Sequence, residues 1–267
     1  MPDTPAQRAL FPEDSAIWKI SRERVILLAG PAAAILQIAH PEVALGVQNH
    51  SSFREDSLAR LHRTLEAVYT ATFAPREEAE AMYALVHEKH AAVQGTSPRP
   101  YSAFSLDAQM WVLATLIMLA VESYERFIAP LTSGDKQAYY ADMRTFGEGF
   151  GLPKSHGPQT WDSFVTYYEA EVSSPQMASL PICRELASAI ARPERPIFLR
   201  LLWPASVLFT REFLPSPLAE KLGFPSTAGQ RLMSAALQAS LPSVLRHLPK
   251  PWRFERQYLA ALRRLDH

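Results

Sequence analysis

Apolar side chains recur every three or four residues along most of this chain, the spacing of helices that bury one face. Residues 105–127 show the pattern most clearly, because Ser105 can cap the start and Pro130 lies just beyond the end. Pro75 followed by Arg-Glu-Glu is another strong helix start. The same signals predict helices over 15–28, 32–39, 41–47, 57–73, 75–94, 105–127, 133–147, 161–172, 230–239 and 253–265.

Strand signals are nearly absent, since no stretch alternates apolar and polar residues and no Asn-Gly or Asp-Gly hairpin turn occurs. With 48% hydrophobic residues the chain can bury one sizeable core. We predict an all-α fold: a single helical domain over 1–267 with no sheet beyond a short ribbon. Residues 175–267, which prolines divide into shorter pieces, are expected to complete that domain.

Charge and cysteine content exclude several classes of protein. The chain has 27 Lys and Arg residues and 27 Asp and Glu residues, so it has no excess of positive charge with which to bind nucleic acid. The lone Cys183 excludes a disulfide framework and a thiolate metal cluster. The start carries no secretory signal, and the longest apolar run, 110–121, is shorter than the roughly 20 residues that span a bilayer. We expect a soluble, cytoplasmic protein with no transmembrane segment.

Common nucleotide-binding and hydrolase motifs are also missing. The chain has no Walker loop, no dinucleotide-binding glycine pattern and no Gly-x-Ser-x-Gly elbow. The glycines between Gly147 and Gly151 follow no strand, so we interpret them as a helix terminus and turn.

Histidines are concentrated in one part of the chain. Five of the eight lie between positions 40 and 90, on consecutive predicted helices: His40, His50, His62, His87 and His90. Side chains from neighbouring helices can converge, so this is where a buried metal or cofactor is expected. The His87–His90 spacing is three rather than the four of zinc-protease helices, and no histidine follows a glutamate by three, as di-iron bundles require.

Spacing alone leaves two interpretations of His90. It is four residues after Val86 and three before Val93, on the apolar side of its helix, where a hydrogen-bonded core histidine is the commoner case. A neutral imidazole on a rigid helix is also what haem iron takes as an axial ligand. Arg60, Arg63 and Thr64 share a face of the preceding helix, which spacing alone would make a solvated basic face.

Several blocks, in order from about Trp18 to Tyr168, resemble the family of the MpaB oxygenase and the rubber oxygenase, or latex clearing protein. They are Leu36-Gln-x-x-His40-Pro-x-Val43-Ala-x-Gly46-Val-x-x-His50-Ser-x-Phe53, Arg60-Leu-x-Arg63-Thr64, His90-Ala-x-Val93-x-Gly95, Tyr101-Ser-Ala, Trp111-Val-x-Ala-Thr115 and Tyr124-Glu-Arg-Phe127 with Pro130-Leu. No motif after Pro175 matches.

This resemblance implies a globin-like helical core around haem b, with His90 as the proximal iron ligand. The resemblance places three residues on the distal side of the haem, Arg60, Arg63 and Thr64. It also implies that Arg60 and His87 contact the cofactor. The implied activity is oxidation by O₂ of a small apolar or aromatic substrate. The family precedent is cleavage of a carbon–carbon double bond.

Three positions depart from the rubber oxygenase pattern. Arg63 stands where that enzyme has a distal lysine, and a guanidinium, which stays protonated, is a poor iron ligand. His87 and Gln94 stand where it has arginines, so the pairing with haem propionates must differ. Leu113 replaces a histidine found in many relatives.

Two other functions remain open at the level of the sequence. One is a haem-binding sensor, carrier or peroxidase-like protein without oxygenase turnover. The other is a haem-free helical binding protein, in which the histidines are structural. Substrate-dependent O₂ consumption separates the oxygenase from the first, and a haem absorption band separates it from the second.

Overall fold

The computed structural model describes residues 9–50, 57–191, 207–225 and 227–265, and for 57–61, 230, 231, 234, 237 and 246 the backbone alone. Its helices are α1 (Ala16–Ser21), a 3-10 helix (Arg24–Ala29), α2 (Gly30–Gln37), α3 (Pro41–His50), α4 (Ser57–Phe73), α5 (Arg76–Ala91), α6 (Leu106–Phe127), α7 (Ser133–Gly149), α8 (Trp161–Ser173), α9 (Pro181–Ala191), α10 (207–213), α11 (Ser216–Leu222), α12 (Ala228–His247), α13 (Lys250–Arg253) and α14 (Arg256–Leu265). The all-α prediction is confirmed.

Helix α6 forms the centre of the core. It packs against the 3-10 helix and against α1, α2, α7, α8 and α12, and its Trp111 and Ile117 are fully buried. The indole of Trp111 donates a hydrogen bond of 2.7 Å to the carbonyl of Leu36, while Gln37 donates one of 3.3 Å to the hydroxyl of Thr115. Residues of the recognisable sequence blocks thus hold α2 on α6.

An aromatic cluster joins the two ends of the described chain. Trp18 of α1, Phe73 of α4 and Tyr258 of α14 meet edge to face, with ring centroids 5.2 to 5.9 Å apart. Edge-to-face pairs add stability beyond their buried area. The cluster fixes the C-terminal end of α4 in the core.

The single helix predicted over 15–28 is wrong, because the chain breaks at Arg22 and Glu23. The backbone of Glu23 is extended and pairs with Phe254, and the Arg22 carbonyl accepts a 2.9 Å bond from the Glu255 amide. A partner more than 200 residues away therefore overrides the local helical pattern.

The helix predicted to reach position 94 ends instead at Ala91. Gln94 and Gly95 pair antiparallel with Tyr101 and Ser102 in a two-stranded ribbon, β1 (Gln94–Gly95) and β2 (Tyr101–Ser102), which confirms the short ribbon. A side chain at Gly95 would lie within 2.6 Å of the Tyr101 ring. This glycine allows a close approach of the two strands. Gly151, in contrast, is required by its positive φ of +97° in the turn after α7, which confirms the helix terminus predicted there.

Helix α6 is also long and apolar enough to cross a membrane, but 67% of its most apolar window is buried within the protein. The segment Arg24–Gln37, which contains the 3-10 helix and α2, is long and apolar enough to span a membrane only together with α3, and the two are bent by 98° relative to each other. Burial of α6 agrees with its prediction as a core helix.

Candidate functional site

Helices α4 and α5 form an antiparallel hairpin that carries most of the residues singled out from the sequence. The hairpin turns at Ala74 and Pro75, and the two helices pack along each other. At 1.5 Å per residue, Arg60 and His90 both lie about 20 Å along the helices from this turn. The hairpin therefore brings these two positions to the same open end.

The turn end of the hairpin is buried and the open end is exposed. Tyr69 and Phe73 of α4, and Ala79 and Tyr83 of α5, face the core. Beyond them the side chains of Arg63, Thr64, His87 and His90 are all exposed. The side chain of Arg60 lies outside the described part of the structure.

His90 is therefore not a core residue, and the placement inferred from its apolar spacing is wrong. Val86 and Val93 are half-buried, as that spacing requires, but His90 between them is exposed. The reason is that α5 extends past the core after Tyr83, so that even Leu85 is 43% exposed. The imidazole is accessible to a large ligand.

The five histidines do not converge on one point. His62 is 82% exposed beside Glu66, and His50 makes a 3.1 Å hydrogen bond with the hydroxyl of Tyr101. Within the ranges the structure describes, no three His, Cys, Asp or Glu side chains are grouped so as to hold a metal ion. A bare metal centre of protein ligands is not formed by these residues.

His40 is half-buried, unlike the exposed His62, His87 and His90. Its Nδ1 atom is buried without a hydrogen-bond partner, and burial lowers the pKa of its imidazole, with Arg99 acting in the same direction against Glu42. The lowered pKa favours the neutral imidazole. It sits between α2 and α3, in the most extended of the sequence blocks.

An exposed aromatic side chain lies beside His87, and two exposed leucines are close to His87 or to that aromatic residue in the sequence. Its ring centroid is 4.6 Å from that of Phe104, and Phe104, Leu106 and Leu85 are 37%, 39% and 43% exposed. We call these three residues the apolar patch. Sequence reasoning missed the patch, although Phe104 and Leu106 flank the helix cap Ser105, where polar residues are usual.

The ribbon and α3 enclose the other side of this region. The amide of Asn49 donates a 2.9 Å hydrogen bond to the Tyr101 hydroxyl, and the Ala103 amide donates one of 2.9 Å to the Val93 carbonyl.

Leu113, which stands where many relatives have histidine, is buried in α6 against Gly147. That position is apolar packing here.

Comparison with known proteins agrees with the sequence blocks and extends them. The profile of the catalytic domain of the ER-bound oxygenase mpaB/B′ and rubber oxygenase matches residues 18–247, well past the last block recognisable by eye. An uncharacterized protein of Mycobacterium tuberculosis and one of Mycobacterium bovis are each 26% identical over 157 residues. Each match covers 57% of this chain. It covers 62% of the relative's own length, which is less than two thirds.

No solved structure matches the chain. The profile match covers most of the sequence and includes both helices of the hairpin, the ribbon and α6. The chain belongs to the MpaB/rubber oxygenase catalytic-domain family.

Proposed function

We propose that this protein is a haem b-dependent oxygenase in which His90 is the proximal iron ligand and Arg63, Thr64 and Arg60 lie on the distal side. Its membership of an oxygenase family supports an oxygenase activity in general. The observation that carries the proposal further is the exposed imidazole of His90 at the open end of the α4–α5 hairpin.

The residues present suit haem better than a bare metal ion. Haem iron already has four porphyrin nitrogens and needs only one or two ligands from the protein, so one accessible imidazole suffices. The apolar patch beside His87 offers surface against which a large, flat, apolar group can pack. Exposed patches of this kind commonly mark binding sites.

When bound, haem supplies the one-electron and O₂ chemistry. The protein's own contribution on the proximal side is a neutral imidazole held on a helix whose first half is anchored in the core. On the distal side, the Arg63 guanidinium stays protonated and donates hydrogen bonds, and Thr64 adds a hydroxyl donor. Such donors stabilise negative charge that develops on oxygen during reaction.

Arg60 and His87 are proposed to hold the edges of the cofactor. A guanidinium pairs with carboxylates in a bidentate manner, which suits the two propionate groups of haem b. His87 already packs its ring against Phe104 of the apolar patch. The substrate proposed is small and apolar or aromatic, and O₂ and an electron donor are its co-reactants.

Replacement of His90 tests the ligand directly. The His90→Ala variant should lose most of its haem, read as the Soret band per protein after reconstitution, because it removes the proposed iron ligand. His62→Ala is the matched control, since His62 is also exposed and lies on the partner helix. Full haem content with unchanged spectra in His90→Ala would disprove the assignment.

A further inference from the structure

A groove of about 1140 Å³ opens between α6, α8 and the segment that joins α10 to α11. Glu122 on its wall lies 16 residues after Leu106 on α6, which is about 24 Å along the helix at 1.5 Å per residue. Leu106 belongs to the apolar patch. The groove is thus separate from the proposed haem site.

Carboxylates outnumber cations in the groove, five to three: Glu122, Glu125, Glu169, Glu212 and Glu220 against Arg126, Lys136 and Arg211. Lys136 binds Glu125 at 3.0 Å, and Arg126 lies 3.6 Å from Glu122. Within the described residues, Glu169 and Glu220 have no ion pair, whereas Arg211 donates to the Leu214 carbonyl at 3.3 Å. An excess of negative charge remains.

Aromatic rings on the groove walls already face cations. The Lys136 ammonium lies 5.9 Å from the centroid of Trp161, and the Arg126 guanidinium lies 4.7 Å from that of Phe213. Positive groups are attracted to such ring faces. The aromatic surface therefore suits a ligand with an apolar body, while the excess of carboxylates favours one that carries positive charge.

Tyr168 contributes an unused polar group to this groove. The residue is 5% exposed, its ring stacks on Trp111 at 5.7 Å, and its hydroxyl has no hydrogen-bond partner. A buried polar atom without a partner costs free energy, so a partner supplied by a ligand would be favourable. Burial also raises the pKa of Glu122, which marks a carboxyl group with incomplete solvation.

We propose that this groove is a second ligand site, which binds an aromatic ammonium ion. The ammonium group lies between the carboxylates of Glu122 and Glu169, within reach of the Tyr168 hydroxyl, and the aromatic body packs against Trp161 and Phe213. The proposal does not depend on the haem assignment, because it uses no residue of the α4–α5 hairpin.

Isothermal titration with three probes of similar shape tests this proposal. Phenethylammonium should bind saturably at one site per chain, and neutral 2-phenylethanol and anionic 3-phenylpropionate at least about tenfold more weakly, the loss expected without a charge-assisted hydrogen bond. Equal binding of the alcohol would overturn the proposal, as would tighter binding of the anion, which would indicate an Arg211 site.

Matched variants locate the binding. Glu122→Gln combined with Glu169→Gln should weaken phenethylammonium binding at least about tenfold, while Glu78→Gln, which alters an exposed carboxylate on α5, should leave it unchanged. Tyr168→Phe keeps the stacked ring and should weaken binding without loss of fold. His90→Ala should bind the probe normally. Unchanged affinity in the double variant, with folding verified by circular dichroism, would disprove the site.

Discussion

Arg63 is the residue whose chemistry departs most from the rubber oxygenase pattern. A guanidinium donates hydrogen bonds but is a poor iron ligand, unlike the lysine amine of the rubber oxygenase pattern. The structure leaves this side chain exposed on α4, on the helix that pairs with the one carrying His90. The proposed distal side therefore depends on a donor rather than on a sixth ligand.

The Arg63→Ala variant should keep near-normal haem content but show altered cyanide affinity and slower turnover. Loss of one charge-stabilising donor costs about 10²-fold in rate in well-studied enzymes, and we expect a decrease of that order. Arg76→Ala is a suitable control, since Arg76 is an exposed arginine at the turn end of the same hairpin. Cyanide affinity and turnover equal to those of the wild type would exclude Arg63 from the distal side.

Single residues also show how far sequence reasoning reaches. The identity of His90 as a candidate comes from its sequence block, but its exposure could not be inferred from its apolar neighbours. Val86 and Val93 follow the helical period correctly, whereas the period does not reveal where α5 leaves the core. The groove around Glu122 and Tyr168 carries no motif, because its walls come from helices far apart in the sequence.

At the scale of elements, Tyr83 joins helix α5 to the end of α7. The ring of this residue meets Phe150 edge to face at 4.7 Å and lies against the backbone of Gly149 at the end of α7. A Cβ atom at Gly149 would approach the Tyr83 ring within 2.2 Å. The position of the proposed proximal ligand thus depends on a glycine on another helix.

Gly149→Ala should displace Tyr83 and lower the free energy of unfolding by about 1 to 3 kcal/mol, the usual cost of overpacking. It should also weaken haem binding, because α5 carries His90. Gly134→Ala, on the same helix α7, meets only an ordinary contact at 3.7 Å and should have little effect. Urea denaturation of the two variants measures the difference, and equal stabilities would contradict the packing described.

Elements whose signals are local were predicted well. Helix α6 begins after Ser105 and ends at Phe127 as its cap and apolar run indicated, and α8 matches within one residue. The break at Glu23, the position of the ribbon at Gly95 and the split between α13 and α14 were not predicted. Each of these depends on a partner elsewhere in the fold rather than on its own sequence.

At the scale of the molecule, the C-terminal segment closes on the N-terminal helices. The guanidinium of Arg253 binds both carboxylate oxygens of Glu23, at 2.8 and 2.9 Å, and Glu23 is only 1% exposed. The guanidinium of Arg264 donates to the Phe73 carbonyl at 2.6 Å, at the end of α4. Residues beyond the family match, which ends at 247, therefore support the hairpin.

Arg253→Ala should lower the free energy of unfolding by about 2 to 3 kcal/mol, because the buried Glu23 carboxylate loses both hydrogen bonds to Arg253 and keeps only the longer ion pair with Arg22, at 3.5 Å. Lys19→Ala breaks an ion pair of similar length, 2.7 Å to Asp135, but a more exposed one. That control should lose less than about 1 kcal/mol. Thermal or urea unfolding compares the two, and an equal loss would show that Glu23 is not buried in solution.

The central claim is that this member of an oxygenase family holds one haem b through the α4–α5 hairpin. Titration of the purified wild-type protein with haemin, followed by its visible absorption spectrum, tests that claim most directly. We predict a Soret band that grows until about one haem per chain is bound and that shifts when cyanide is added. Spectra that remain those of free haemin at every haemin concentration would contradict the account.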